Sequence, residues 1–110
     1  MAKASTFSPD NLDKVIHERA RLGITAALAA RGAMTFTELK ELLGMTDGNL
    51  SVHARVLEEA GYLKVAKRFV RRRPSTRMSL TAKGRAAFRA YVNQLEQVVS
   101  RKLSPDEKEE

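Results

Sequence analysis

Residues 35–63, which read TFTELKELLGMTDGNLSVHARVLEEAGYL, decide the fold of this chain. Thr35 and Glu38 stand three residues apart before an apolar run, which is the spacing of a capping box that opens a helix. Gly44 ends that short helix, and Thr46 caps a second helix that follows almost at once. Two helices joined so tightly, with glycine in the turn, predict a helix-turn-helix.

The second helix of this pair has one apolar face and one small, polar face. Leu50, Ala54 and Leu57 follow one another at i, i+4 and i+7, so they are predicted to face the core. The residues of the opposite strip have short side chains near the start of the helix, so the helix can enter a DNA major groove about 12 Å wide. The residues predicted to contact DNA from this helix are Thr46, Gly48, Asn49, Ser51, Val52, His53 and Arg55.

After Gly61 the apolar residues change to a period of two. The segments YLKVAKRFV (62–70) and TRMSLT (76–81) predict two strands of a hairpin, with 71–75 as its tip. Pro74 suits a loop or an edge position and would interrupt a central strand. Thr81 is then the predicted cap of the last helix, over 82–100.

The hairpin carries a concentrated positive charge. The formal net charge is +7, and from Lys64 to Arg89 the chain has ten basic residues and no acidic one, half of its 20 Lys and Arg. Guanidinium groups crowded in this way repel one another, and phosphates relieve that repulsion by replacing the counterions. The residues predicted to contact DNA from the hairpin are Lys67, Arg68, Arg71, Arg72, Arg73, Thr76 and Arg77.

The two ends of the chain carry apolar stripes that exceed what a small core can cover. A helix capped by Asp10 or Asn11 is predicted to open at Leu12 and to run, alone or with a second helix in line, to Gly32. We expect the stripes of the first and last helices to pair across a two-fold axis. The predicted subunit interface consists of Leu12, Val15, Ile16, Phe88, Tyr91, Val92, Leu95, Val98 and Val99.

Two stretches, 35–63 and KRFVRRRPSTRMSLTAKGRAAF (67–88), resemble the winged helix domains of MarR-type and ArsR-type transcriptional regulators. The second stretch includes the LT-x-x-G-R that opens the last helix in such proteins, and the likeness is greatest to the small stand-alone type. The resemblance implies a mainly α fold with a small β-hairpin, and a homodimer that binds duplex DNA. It also implies a recognition helix at 47–60 and a wing at 67–77.

The domain organisation follows from these elements. Residues 11–100 are predicted to form a single winged helix domain, with the helix-turn-helix at about 35–60, the wing at about 62–81 and the C-terminal helix at about 82–100. The N- and C-terminal helices of this domain are the predicted dimerisation helices. Residues 1–10 and the polar tail at 101–110 are expected to be disordered.

Several classes of function are not expected. The chain has no cysteine, and His17 has neither the spacing nor the partners of a metal ligand. No nucleophile elbow, phosphate loop or HExxH motif is present, so we expect neither an enzyme nor a cofactor. The N-terminus lacks the apolar segment of a signal peptide and the longest near-apolar run, 22–30, is too short to cross a bilayer, so we expect a soluble cytoplasmic protein that binds no membrane.

The sequence therefore predicts a regulator of transcription that recognises specific duplex DNA sequences. Repression is the expected output, because occupancy of the DNA alone blocks polymerase. An RNA-binding or a protein-docking winged helix module remains an alternative reading of the same residues. The sequence identifies neither the operator nor a small-molecule effector.

Overall fold

The computed structural model describes residues 9–103 and the side chains of residues 10–100. Four helices and a three-stranded antiparallel sheet of order β1-β3-β2 confirm the predicted α+β winged helix class. The segments 1–8 and 104–110, which include most of both regions predicted to be disordered, lie outside the described residues. In chain order the elements are a 3-10 turn (Pro9–Asn11), α1 (Arg19–Arg31), β1 (Met34–Thr35), α2 (Phe36–Leu43), α3 (Asp47–Glu59), β2 (Leu63–Val70), β3 (Arg73–Leu80) and α4 (Ala82–Leu103).

The helix-turn-helix forms as its capping residues predict. The Thr35 hydroxyl accepts a hydrogen bond from the Glu38 amide at 3.1 Å, and the Glu38 carboxylate accepts one from the Thr35 amide at 2.9 Å. Gly44 ends α2 in the left-handed conformation, at φ 64° and ψ 37°, and the Thr46 hydroxyl accepts from the Asn49 amide at 3.1 Å. Local hydrogen bonds therefore fix where α3 begins relative to α2.

The core lies where the helices meet the base of the hairpin. Leu50, Ala54 and Leu57 of α3 are all buried, as the helical spacing predicts. Each fully buried leucine stabilises the fold by roughly 1.5–3 kcal/mol relative to an exposed one. The residues that complete this core are Ile24, Leu28, Met34, Leu39, Leu63, Met78 and Leu80.

The prediction of a helix opening at Leu12 is wrong. Residues 14–16 form a turn instead, with irregular chain on either side of it. The Asp13 carboxylate accepts hydrogen bonds from the amides of Val15 at 2.8 Å and Ile16 at 3.2 Å. Aspartate offers the backbone this alternative to a helical turn, so the chain folds over rather than continuing as a helix.

Glu18 then sets the true start of α1. Its backbone is extended, with φ −152° and ψ 137°, and its carboxylate accepts from the Arg21 amide at 2.8 Å. That backbone hydrogen bond lowers the pKa of Glu18 below its usual value. The residue was expected inside a helix, but it acts as an N-cap.

Side chains from distant parts of the chain hold the N-terminal turn in place. The Tyr62 hydroxyl donates to the Asp13 carboxylate, and this hydrogen bond, with burial, raises the pKa of Tyr62 to about 12. The Nδ1 atom of His17 lies 2.8 Å from the hydroxyl of Tyr91, whose pKa is raised by burial. The turn is therefore an integral part of the domain.

Two residues predicted for the subunit interface lie instead in the interior of their own chain. Ile16 has no exposed surface and Tyr91 is only 3% exposed. Leu12 and Val15 are half-buried, and Val15 packs against the core. Because the N-terminal segment folds over its own domain, it leaves no surplus apolar patch at that end of the described chain.

The tip of the hairpin is shorter than predicted. Strands β2 and β3 pair as far as Val70 and Arg73, so only Arg71 and Arg72 form the turn, in place of the predicted 71–75. Both have positive φ, 55° and 70°, which is the pattern of a type I′ turn. Arginine in that conformation costs about 1–2 kcal/mol per residue relative to the usual helical region.

Pro74 lies inside β3, the central strand of the sheet, which was not expected. Val70 and Arg73 close the two-residue turn as a hydrogen-bonded pair, so the next pair, Phe69 with Pro74, is of the non-hydrogen-bonded type. On its other side β3 pairs with β1 only at 77–78. The missing proline N–H therefore interrupts no hydrogen bond of the sheet.

The start of α4 packs closely on the α3–β2 turn. The Thr81 hydroxyl accepts from the Gly84 amide at 2.9 Å, as the predicted cap requires, and donates to the Gly61 carbonyl at 2.6 Å. A Cβ atom placed on Gly84 would lie 2.2 Å from the carbonyl oxygen of Tyr62. Glycine is therefore the residue that permits this close approach.

Candidate nucleic-acid interface

An open cleft of about 520 Å³ lies between α3 and the hairpin. Ser51 and Arg55 reach it from α3, and Lys67 and Thr76 reach it from β2 and β3. Part of the predicted recognition strip and part of the predicted wing thus face one concave surface. The other residues that line the cleft are Phe36, Ala54, Glu58, Val65 and Met78.

The outward strip of α3 is accessible over the first three turns of the helix. Ser51 and Arg55 are exposed, and Val52 keeps 60% of its surface accessible. Thr46 and Asn49, at the start of the helix, are joined by the capping hydrogen bond. These positions, with Gly48, present a surface of short side chains beside one guanidinium group.

His53 differs from the other predicted contact residues, because it is held against α1. Its Nδ1 atom lies 3.0 Å from Nη1 of Arg21 and 3.6 Å from the Glu18 carboxylate, and its side chain is 23% exposed. A guanidinium group can only donate, so in this contact Nδ1 of His53 is the acceptor. Arg21 also donates to the carbonyl of Val15 at 2.7 Å, so one side chain joins the N-terminal turn to α3.

The acidic charge at the start of α3 is compensated within the domain. Nζ of Lys40 lies 2.8 Å from the Asp47 carboxylate, and this hydrogen bond raises the pKa of Lys40. The ion pair therefore reduces the repulsion that Asp47 would exert on a phosphate near the helix N-terminus, where backbone amides favour anions.

The register of the hairpin assigns each wing residue to a face. Directly opposed residues of an antiparallel pair project to the same side. Lys67 opposes Thr76, and both line the cleft, whereas Arg68 opposes Ser75 one position further on. Strand alternation therefore places Arg68, Arg73 and Arg77 on the face away from the cleft. Arg71 and Arg72 form the tip between the two faces.

A family model described as a winged helix DNA-binding domain matches residues 20–99. This chain belongs to that family. An uncharacterized protein of Methanocaldococcus jannaschii is 36% identical over 85 residues, which cover 77% of this chain and 92% of that protein.

Solved structures share the fold of this winged helix domain. A transcriptional regulator homologue from Pyrococcus horikoshii OT3 has a TM-score of 0.76 at 30% identity, over 81% of this chain and 88% of that chain. BpsR of Bordetella bronchiseptica, whose DNA binding is regulated by 6-hydroxynicotinic acid, has a TM-score of 0.67 at 19% identity, over 84% of this chain and 70% of that chain. The first comparison confirms the predicted resemblance to winged helix transcriptional regulators, and the second shows the fold alone.

Sequence reasoning missed three cleft or wing residues of this winged helix domain. Phe36 and Glu58 line the cleft, and Phe69 lies on the cleft face of the hairpin, opposite Pro74. Alternation along β2 already groups Phe69 with Leu63 and Val65, but Phe69 was not assigned to the site. Its pairing with Pro74 could not be predicted, because the two-residue turn lacks the Asn-Gly pair that marks most such hairpins.

The described residues 9–103 offer neither a metal site nor a membrane span. They contain no cluster of three or more His, Asp or Glu side chains suited to a metal ion. None of the helices in this part of the chain has both the length and the apolar character needed to cross a bilayer.

Proposed function

We propose that this winged helix domain is a homodimeric repressor of transcription that binds specific duplex DNA sequences. The observation that supports the proposal best is the cleft between α3 and the wing. Ser51 and Arg55 of α3 and Lys67 and Thr76 of the wing line the same cleft. A helix and a hairpin that face the same side can meet one double helix together. The likeness to the Pyrococcus horikoshii transcriptional regulator homologue adds support.

In the proposed complex α3 lies in the major groove and the wing lies over the flanking backbone. Arg55 can form two hydrogen bonds with a guanine, Val52 can contact a thymine methyl group, and Ser51 can bond to a base edge or a phosphate. One sugar-phosphate strand would follow the cleft between Arg55 and Lys67. The tip, with Arg71 and Arg72, would reach the adjacent minor groove and bind the phosphates along its edges.

The proposed dimer uses the second half of α4. A helix of 22 residues is about 33 Å long, and in the described part of α4 no residue beyond Tyr91 is fully buried. Leu95 is 37% exposed and Val99 is 49% exposed, on the same side of the helix as the half-buried Val92 and Val98. A second copy of the chain would cover this stripe, and two-fold symmetry suits palindromic operators.

A selection of bound sequences from random duplex DNA tests the proposed function. We expect a palindromic site whose half-sites lie about one helical turn, or a multiple of it, apart. The same sequence as duplex RNA should bind far more weakly, because the deep, narrow RNA major groove does not admit a helix. Recovery of no preferred duplex, or equal binding to RNA, would contradict the proposal.

The arginines of the wing should contribute affinity rather than sequence preference. Replacing Arg71, Arg72 and Arg73 by Ala is expected to weaken binding to all duplexes alike. The slope of log K against log salt should also become less steep, by roughly 0.9 for each phosphate that the variant no longer neutralises. Binding measured across a salt series checks this.

A variant with the same charge change elsewhere is the control for the wing variant. Lys14, Arg31 and Arg89 are exposed and lie outside the cleft and the wing. Their replacement by Ala removes the same three charges and should alter the salt slope much less. If the wing variant and this control behave alike, the wing does not contact the backbone, and a protein-docking role for the wing is favoured.

Arg55 should contribute to sequence choice. Arg55→Ala is expected to reduce discrimination at one base-pair position by about 1–3 kcal/mol, because alanine cannot form the bidentate hydrogen bonds to guanine. Repeating the selection with this variant checks the prediction. An equal loss of affinity for every sequence would mean that Arg55 contacts only the backbone.

A further inference from the structure

Phe69 is an apolar side chain on the wing that the fold leaves uncovered. It keeps 73% of its surface accessible, more than any other large apolar residue in the described part of the chain. The next residue, Val70, is 49% exposed. A hairpin that served only to present charge would have no need of an exposed aromatic ring at its end.

Phe69 lies at the outer end of the cleft that is proposed to face DNA. Strand alternation places it on the same face as Lys67, one pair further toward the tip, and Pro74 stands directly opposite it. Val70 projects from the other face of the same strand. Phe69 and Pro74 thus form a small apolar edge that continues the cleft beyond Lys67 and Thr76.

The charge around this edge favours a polyanion as its partner. Arg71 and Arg72 form the tip two and three residues after Phe69, and Arg73 precedes Pro74 on the other face of β3. A second copy of the wing would bring the same cations together and is disfavoured by repulsion. An aromatic ring among arginines is suited to nucleic acid, where the ring meets bases and the cations meet phosphates.

We propose that Phe69, supported by Pro74, acts as a wedge in the minor groove of the bound duplex. The ring partly opens one base step and bends the DNA at that step toward its major groove, away from the wing. Pyrimidine–purine steps such as TA unstack most readily, so the wedge also selects for such a step beneath the wing. The inference rests on the proposed function and adds a second, indirect source of sequence preference.

Phe69→Ala and Val70→Ala form a matched pair for the test, because both remove an exposed apolar side chain from adjacent positions on opposite faces. The probe is the duplex recovered by selection, with donor and acceptor dyes at its two ends and 2-aminopurine at the step beneath the wing. We expect the wild-type protein and Val70→Ala to raise the 2-aminopurine fluorescence and to shorten the end-to-end distance. Phe69→Ala should lose both signals and bind roughly ten- to a hundredfold more weakly.

The outcomes separate this inference from the proposed function. If the wild-type protein selects no duplex, the proposed function itself is contradicted, and the wedge with it. If it binds but Phe69→Ala matches Val70→Ala in bending and affinity, or loses affinity with unchanged bending and fluorescence, the wedge is overturned. A change in subunit association of Phe69→Ala in sedimentation would mark the edge as a protein contact and also overturn it. Phe69→Leu keeps an apolar side chain at this position and should keep most of the bend. It is the control for a folding defect in the alanine variant.

Discussion

Gly84→Ala is expected to lower the free energy of unfolding by about 3 kcal/mol, a large fraction of the stability of a domain of this size. The added Cβ would lie 2.2 Å from the Tyr62 carbonyl oxygen, which is backbone and cannot rotate away. Relief of the clash requires α4 to move from the α3–β2 turn. That movement would break the two hydrogen bonds that tie Thr81 to the turn, from its hydroxyl to the Gly61 carbonyl at 2.6 Å and from its amide to the Tyr62 carbonyl at 3.0 Å.

Urea unfolding at a fixed protein concentration measures this loss, and Gly48→Ala is its control. Gly48 also lies in the first turn of a helix, but a Cβ there would meet nothing within 4 Å. Alanine is the better helix former, so Gly48→Ala should be neutral or stabilise by up to about 1 kcal/mol. Equal unfolding midpoints for the two variants would show that α4 does not depend on the close approach at Gly84.

Elements governed by short-range hydrogen bonds could be predicted from the sequence. The capping box of Thr35 and Glu38 and the caps at Thr46 and Thr81 each join residues only three apart, so the residue types alone indicate the bond. The inward face of α3 follows in the same way from helical spacing. These features fix the helix-turn-helix and hence the strip of α3 that enters the cleft.

Features set by distant partners could not be predicted. Asp13 closes a turn instead of opening a helix, and its carboxylate is held by Tyr62, 49 residues away. Strand β1 is only two residues long and exists because Met34 and Thr35 pair with β3. His53 was predicted to contact DNA from beside the outward strip, and its place on the helix did not indicate that Arg21 of α1 would hold one of its ring nitrogens. In each case local pattern carries no information about the partner.

The hairpin was predicted only in part, and the part that was wrong, the length of its tip, concerns the candidate site. The strands and their alternation were predicted, with Phe69 on the face opposite to Arg68, but a tip at 71–75 left the pairing of the two strands undefined. The two-residue turn pairs Lys67 with Thr76 and Phe69 with Pro74. Arg71 and Arg72 occupy conformations that glycine or asparagine adopts more easily, which is why the turn was not recognised.

Leu95→Glu is expected to yield a monomer that no longer binds the palindromic operator tightly. Leu95 is 37% exposed in the single chain, and a second copy would bury it. A carboxylate without a partner is costly in such an apolar contact. Loss of the second subunit removes the advantage of two linked half-sites, which is worth about 10²–10⁴ in affinity. Sedimentation equilibrium and operator binding measure the two effects.

Asn93→Glu separates the loss of the interface from the effect of an added charge. Asn93 is exposed and lies about 160° around the helix from Leu95, so the same charge is introduced outside the apolar stripe. This variant should remain dimeric and keep its operator affinity. A dimeric Leu95→Glu protein would refute the proposed interface.

The salt dependence of Leu95→Glu distinguishes a folded monomer from a damaged protein. A monomer that keeps α3 and the wing neutralises half as many phosphates as the dimer, so its slope of log K against log salt should be about half as steep. Its preference within a single half-site should stay that of the wild-type protein, because Arg55 is untouched. A misfolded variant would lose the half-site preference as well. Together the two measurements would show that tight binding requires the dimer, whereas each subunit recognises its own half-site.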